Sequence, residues 1–255
     1  MWTEFKLAAP PGTVEVAGRF DDSCVARIAP HTVEALNSGR LRLRVVQHGG
    51  LATIGDASLS IAAVQGSIVV HLGGHGAEVV FGAGTQGSFD LRLWRDTSVR
   101  IGDHTTSNGV RIIGDHSDID IGTDCMFSDS ILIQSADQHA IVDLASGRIV
   151  NGERRRTVIG HHVWLGRRCM LMPDVALGQG AIVGAGAVVT ADVPETCIVA
   201  GVPARVVRSA VSWSRSPVAL DPAAKALVRR HGTLQALDEP AAGEVVPCDT
   251  DGSHD

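Results

Sequence analysis

The sequence predicts a mainly β chain wound as a triangular prism of stacked parallel coils, and three observations carry that prediction. From Ile159 an aliphatic residue recurs every six positions, at Leu165, Leu171, Leu177, Val183 and Val189. Four places after each stands a small or aliphatic residue: Val163, Cys169, Val175, Ala181, Ala187 and Val193. Composition agrees: 29 glycines, 4% aromatic residues and no tyrosine in 255 residues suit short strands that turn tightly about a narrow interior. A period of six matches neither the 3.6 of a helix nor the 2 of a simple strand. It does match flat sides of very short strands, at roughly 3.3 Å per residue, with a corner after each. Three sides give a coil of about 18 residues, stacked on the next by parallel ladder bonds. Gly160, Gly166, Gly178 and Gly184 follow their aliphatics directly, and are expected to supply the corner angles.

The N-terminal half repeats more loosely. Ile61, Phe81, Ile101 and Ile121 lie twenty apart, each preceded two places earlier by Leu59, Val79, Val99 or Ile119 and followed by Ala62, Gly82, Gly102 or Gly122. This reads as the same prism, with about two extra residues per coil at the corners; a β-sandwich is the alternative for this half. Residues 1–40 lack a clear repeat and are expected to cap a β-helix domain over 41–208. Within that domain, 136–156 breaks the six-residue frame and should leave the prism as a loop. A segment over 209–238 should hold one helix, with Asp221 as N-cap, Pro222 in the first turn and Gly232 as the stop. Residues 239–255 are polar and read as a flexible tail.

Composition also excludes several function classes. A formal charge of −6 gives nucleic acid no electrostatic support, and the run Arg154-Arg155-Arg156 reads as a solvated loop. No apolar stretch approaches the roughly 18 residues of a membrane span, and the N-terminus has no signal-peptide core. Five cysteines, an odd number without a CxxC pair, read as reduced and mostly buried thiols, with the cytoplasm as the expected compartment. His104, His116 and His139 lack the close pairing of a zinc triad, so no metal is expected.

Five segments then carry a resemblance: Ile121–Ser128, Asp137–Ile141, Val158–Gly166, Gly184–Thr190 and Ala200–Arg205. In this order and spacing the stretch from about Ile101 to Arg208 resembles the hexapeptide-repeat acyltransferases, and looks most like their capsule and polysaccharide O-acetyltransferases. The resemblance implies a left-handed parallel β-helix with an extruded active-site loop, a short C-terminal helix, a homotrimer, and acetyl-CoA as co-substrate. It implies O-acetylation of a sugar or polysaccharide hydroxyl. N-acetylation of an amino-sugar nucleotide, acetylation of a small molecule, and a non-catalytic β-helix scaffold stand as alternatives.

By the same resemblance His139 is the catalytic base. An imidazole with an ordinary pKa near 6.5 can accept a hydroxyl proton at neutral pH, and loops on rigid scaffolds commonly carry such groups. Asp137, two residues earlier, could orient that ring or simply form a turn. Trp164 matches the family's active-site tryptophan, packing on the sugar or the pantetheine arm, or else covering a coil corner. Ser128 and Asn151 are expected near the saccharide. Ala185 and Thr190 are expected along the pantetheine groove, and Arg205 and Arg208 near the CoA phosphates. Two positions depart from the pattern: Ala187 stands where many relatives have Ser, and Val202 where many have Asn.

Overall fold

A computed structural model describes residues 1–231. The chain winds as a prism with three faces. The first face stacks Val25–Ile28, Ser58–Ile61, Glu78–Phe81, Ser98–Ile101, Ser117–Ile121, Arg155–Ile159 and Ala176–Leu177 in one parallel ladder. In the C-terminal half the second face stacks Met126–Phe127, Trp164–Leu165, Ile182–Val183 and Cys197–Gly201. The third stacks Ile131–Gln134, Met170–Leu171 and Val188–Val189.

Both repeats in the sequence are register marks of this ladder. Ile61, Phe81, Ile101, Ile121, Ile159 and Leu177 are successive Cα partners on the first face. They and their counterparts Leu165, Leu171, Val183 and Val189 are at most 4% exposed, in one continuous core. The small residues four places on, from Val163 to Val193, fill the same interior from the corners. Deleting one such buried leucine side chain costs about 2–5 kcal/mol.

Two expectations are corrected in detail. In the twenty-residue coils the extra residues lie in the strands rather than at corners: Gln65–Leu72 and Gln86–Leu93 each run on around the second edge. Gly66 and Gly87 sit at that bend, with φ of +114° and +113°. In the next coil Thr106–Gly114 divides, Thr106–Ser107 pairing with the second face and Val110–Ile113 with the third. The glycines that directly follow the aliphatics are not the corner residues either. Left-handed angles fall two places later, at His162, Arg168, Asp174, Gly180 and Gly186. Gly160 and Gly166 instead lie flat against the coil above: a Cβ would come 2.8 Å from the Gln179 nitrogen and 2.6 Å from the Val183 oxygen respectively. They are small so that coils can stack at ladder spacing.

Both ends of the prism carry a reversed strand. Thr3–Lys6 pairs antiparallel with Val25–Ile28 at one end, and Ala204–Ser209 pairs antiparallel with Cys197–Gly201 at the other. A helix over Pro30–Asn37 packs beside the first coils. The expected C-terminal helix is present as Pro222–His231, with the Asp221 carboxylate accepting from the Ala224 N–H at 2.8 Å. Its expected stop at Gly232 and the tail 239–255 lie outside the described residues.

Candidate active site

The loop arises from a mismatch in coil length. Ile121 to Ile159 is one ladder step but thirty-eight residues, whereas the following step, Ile159 to Leu177, is eighteen. The surplus leaves the third face after Gln134 and returns at Arg155. It closes as a hairpin: Val142 bridges Ile149 antiparallel, and the Val150 N–H donates to the Ile141 carbonyl at 2.9 Å. Asp143 accepts from the backbone N–H and the hydroxyl of Ser146, bonds that hold its carboxyl below the usual carboxylate range.

His139 sits at the base of this hairpin, exposed to solvent. Asn151 staples the base: its Nδ2 donates to the His139 carbonyl at 2.8 Å and to Asp137 at 3.4 Å, and its Oδ1 accepts from the Ile141 N–H at 2.8 Å. Among the described residues no hydrogen bond joins Asp137 to the His139 ring, so Asp137 acts on the loop backbone through Asn151. The three arginines that looked like a solvated run clamp the loop's exit. Arg154 makes two 2.7 Å bonds to Asp118, Arg155 pairs with Asp174, and Arg156 meets Asp120 at 3.4 Å. Arg154, joined by the Ser98 hydroxyl, draws the Asp118 carboxyl down to about 2.

Trp164 belongs to the second face. Its neighbour Leu165 fills the core, so the indole points outward, half-buried, with Nε1 3.4 Å from the Ser128 hydroxyl. His139 with Asp137 and Asn151, and Trp164 with Ser128, are therefore two clusters on elements of different faces, and no hydrogen bond or ring contact joins them within the described chain. Ala185 is exposed at the second edge beside the left-handed Gly186, and Thr190 is exposed at the end of the third face. Arg205 and Arg208 are exposed on the terminal strand, opposite Ala200 and Ile198, and neither has an acidic partner among the described residues. An open cleft of about 520 Å³, bordered by Asp90, Asn108, Arg111, Asp129 and Leu132, runs beside the strand that launches the loop.

One group escaped the reading of the sequence. After the terminal strand, residues 211–221 turn back along the second face as a strap. Trp213 stacks on His162 with centroids 4.1 Å apart and planes within 5°, and lies 6.3 Å from Trp164. Arg215 donates from Nη2 and Nε to the Oδ1 of Asp124 at 2.8 and 3.0 Å and reaches the Thr106 hydroxyl at 2.9 Å. A lone Trp and Arg in a non-repeating Ser-rich stretch was the available signal, but nothing local says where such a stretch lands.

Residues 156–191 match the bacterial transferase hexapeptide family, described as six repeats. These residues include all six aliphatics of the six-residue repeat, from Ile159 to Val189, on the ladders described above. The chain is 33% identical over 128 residues to a polysialic acid O-acetyltransferase of Escherichia coli O1:K1 / APEC, covering 50% of the chain and 41% of the relative. It is 29% identical over 134 residues to a galactoside O-acetyltransferase of Lactococcus lactis subsp. lactis (strain IL1403), covering 52% and 54%. The chain thus spans about half the length of these curated relatives. Among solved structures it superposes on the polySia-specific acetyltransferase NeuO with a TM-score of 0.67 at 23% identity, over 85% of this chain and 94% of that one. The polysialic acid O-acetyltransferase OatWY gives 0.54 at 22% identity, over 79% and 88%. These likenesses establish the fold, a left-handed parallel β-helix.

Proposed function

We propose that the chain is an acyltransferase that moves an acetyl group from acetyl-CoA to a saccharide hydroxyl, with His139 as general base. The observation that carries this reading is the thirty-eight-residue ladder step, which presents His139 on a stapled loop beside hexapeptide coils. The names of the relatives support a sugar acceptor. The His139 imidazole takes the hydroxyl proton as the oxygen attacks the thioester carbonyl, and collapse of the tetrahedral intermediate expels CoA, whose sulfur receives the proton. Direct transfer suits the thiols: burial pushes Cys125 and Cys169 up to about 12, so neither offers a thiolate to carry the acyl group. Exposed backbone at Ala185, the Thr190 side chain, and Arg205 and Arg208, exposed on the last strand, fit an extended arm ending in phosphates.

The separation of the His139 and Trp164 clusters supports a homotrimer, in which a loop from one copy meets the second face of another. The loop's apolar tip fits that role: Ile141, Val142, Leu144, Ile149 and Val150 are all exposed, Leu144 at 95%. The four cysteines among the described residues are free and buried, which suits a reducing cytoplasm. The deciding experiment is acetyl transfer by the full chain, followed by mass spectrometry, with sialic acid oligomers, galactosides and nucleotide sugars as acceptors. His139→Ala should lower turnover about 10²- to 10⁴-fold with an unchanged melting curve, and should abolish the acid limb of kcat/KM. Near-wild-type turnover in that variant would remove His139 as the base.

A further inference from the structure

We propose that Trp213 is a positioning residue for Trp164, held in place by a closed circuit of side chains from two successive coils and the strap. The inference rests on the reading of Trp164 as part of the acyl-transfer site. It starts from how little Trp164 has of its own. Its strand is two residues long, and among the described residues its one side-chain hydrogen bond is the 3.4 Å approach to Ser128, at the weak end of the useful range. An outward indole so loosely tied takes its orientation from whatever packs against it, and the indole beside it is Trp213.

Trp213 in turn is fixed on every side. It is 6% exposed, its Nε1 donates to the His162 carbonyl at 2.8 Å, and its own carbonyl lies 2.9 Å from His162 Nε2. The other ring nitrogen of His162 lies 2.8 Å from Asp124, and Asp124 is held by Arg215, whose guanidinium stands 5.5 Å from the Trp213 ring. The circuit His162–Asp124–Arg215–Trp213 thus closes on itself, joining residues up to 91 apart in sequence. His162 is the left-handed corner residue two places before Trp164, on the turn that feeds its strand. The strap therefore holds the backbone entering Trp164 and sets a tilted indole beside its ring, 52° between planes. A strap serving only to seal the prism would need the helix contact at Gly180 and the bond from Ser212 to the Gly180 carbonyl, and both lie one coil further on.

The test separates position from stability, and both from the enzymatic reading. In the full chain, Trp2→Phe and Trp94→Phe leave two tryptophans, and Trp213→Phe then leaves Trp164 as the sole fluorophore. Trp213→Leu in the same background removes the flat partner, and Arg215→Met removes the clamp without touching either ring. With Phe at 213, Trp164 emission should stay near the blue-shifted value of a half-buried indole. With Leu, emission should shift to the red and acrylamide quenching should rise several-fold. Arg215→Met, in the background with Phe at 213, should lie between. Where acetyl transfer is observed, Trp213→Leu should lose on the order of 10- to 10²-fold in kcat/KM, with Phe restoring most of it. Identical emission and quenching across the three proteins would overturn the proposal, as would an activity loss that merely tracks the melting temperature. If no acceptor is acetylated by the wild type while the spectra still respond, the positioning stands and the acyl-transfer reading falls instead.

Discussion

Gly160 shows how a residue type was read correctly for the wrong physical reason. Its position after an aliphatic suggested a corner, but its φ is ordinary and the coil above leaves no room for a Cβ. Gly160→Ala should therefore cost about 1–3 kcal/mol through overpacking, lowering the melting temperature by several degrees. Gly12→Ala, with open space around the site, should leave it unchanged; equal melts for the two would refute the stacking argument. The true corner signal was in the sequence at the same period, as His162, Arg168, Asp174, Gly180 and Gly186. It hid because polar residues and glycine tolerate the left-handed region alike. At the same scale, Arg205→Ala should raise the KM for acetyl-CoA several-fold more than that for the acceptor. An equal effect on both in steady-state kinetics would refute its assignment to the CoA phosphates.

The loop was legible as an element because it breaks the six-residue frame, yet its internal order was not. Periodicity carries no information about a hairpin held by Asn151 or about arginines that pair thirty-six residues away. Arg154–Asp118 makes that anchoring titratable. The Asp118 carboxyl titrates near 2 in the folded chain, against roughly 3.9 when unfolded. Because the folded value is the lower one, its stabilisation is full above the unfolded value and disappears as pH falls toward the folded one. Wild type should thus melt above Asp118→Asn at pH 6, with the gap closing between about pH 4 and pH 2. A gap that persisted undiminished at pH 2 would show that Arg154 does not act through this carboxylate. The strap is the opposite case: its helix was visible from Asp221 and Pro222, while its landing place depends on contacts with coils up to 111 residues away.

For the whole molecule, the prism's interior decides the chemistry of its thiols. Cys125 and Cys169 face the core as members of the repeat, and desolvation of the thiolate pushes both up to about 12. Iodoacetamide at pH 8 should leave both unlabelled in the native protein, as read by peptide mass spectrometry, and label both in guanidinium chloride. Rapid native labelling would mean that the coils open. The overall architecture was readable because a solenoid writes the same contact once per coil, so a local repeat stands in for long-range topology. The two ends have no such repetition, and their reversed strands have a consequence for solubility. A stack of parallel coils has the same cross-section at its top as at its bottom, so a bare terminus would template the next molecule, head to tail, without limit. By running backward, Thr3–Lys6 and Ala204–Ser209 set at each end a strand opposed in direction to the stack, which works against such head-to-tail growth.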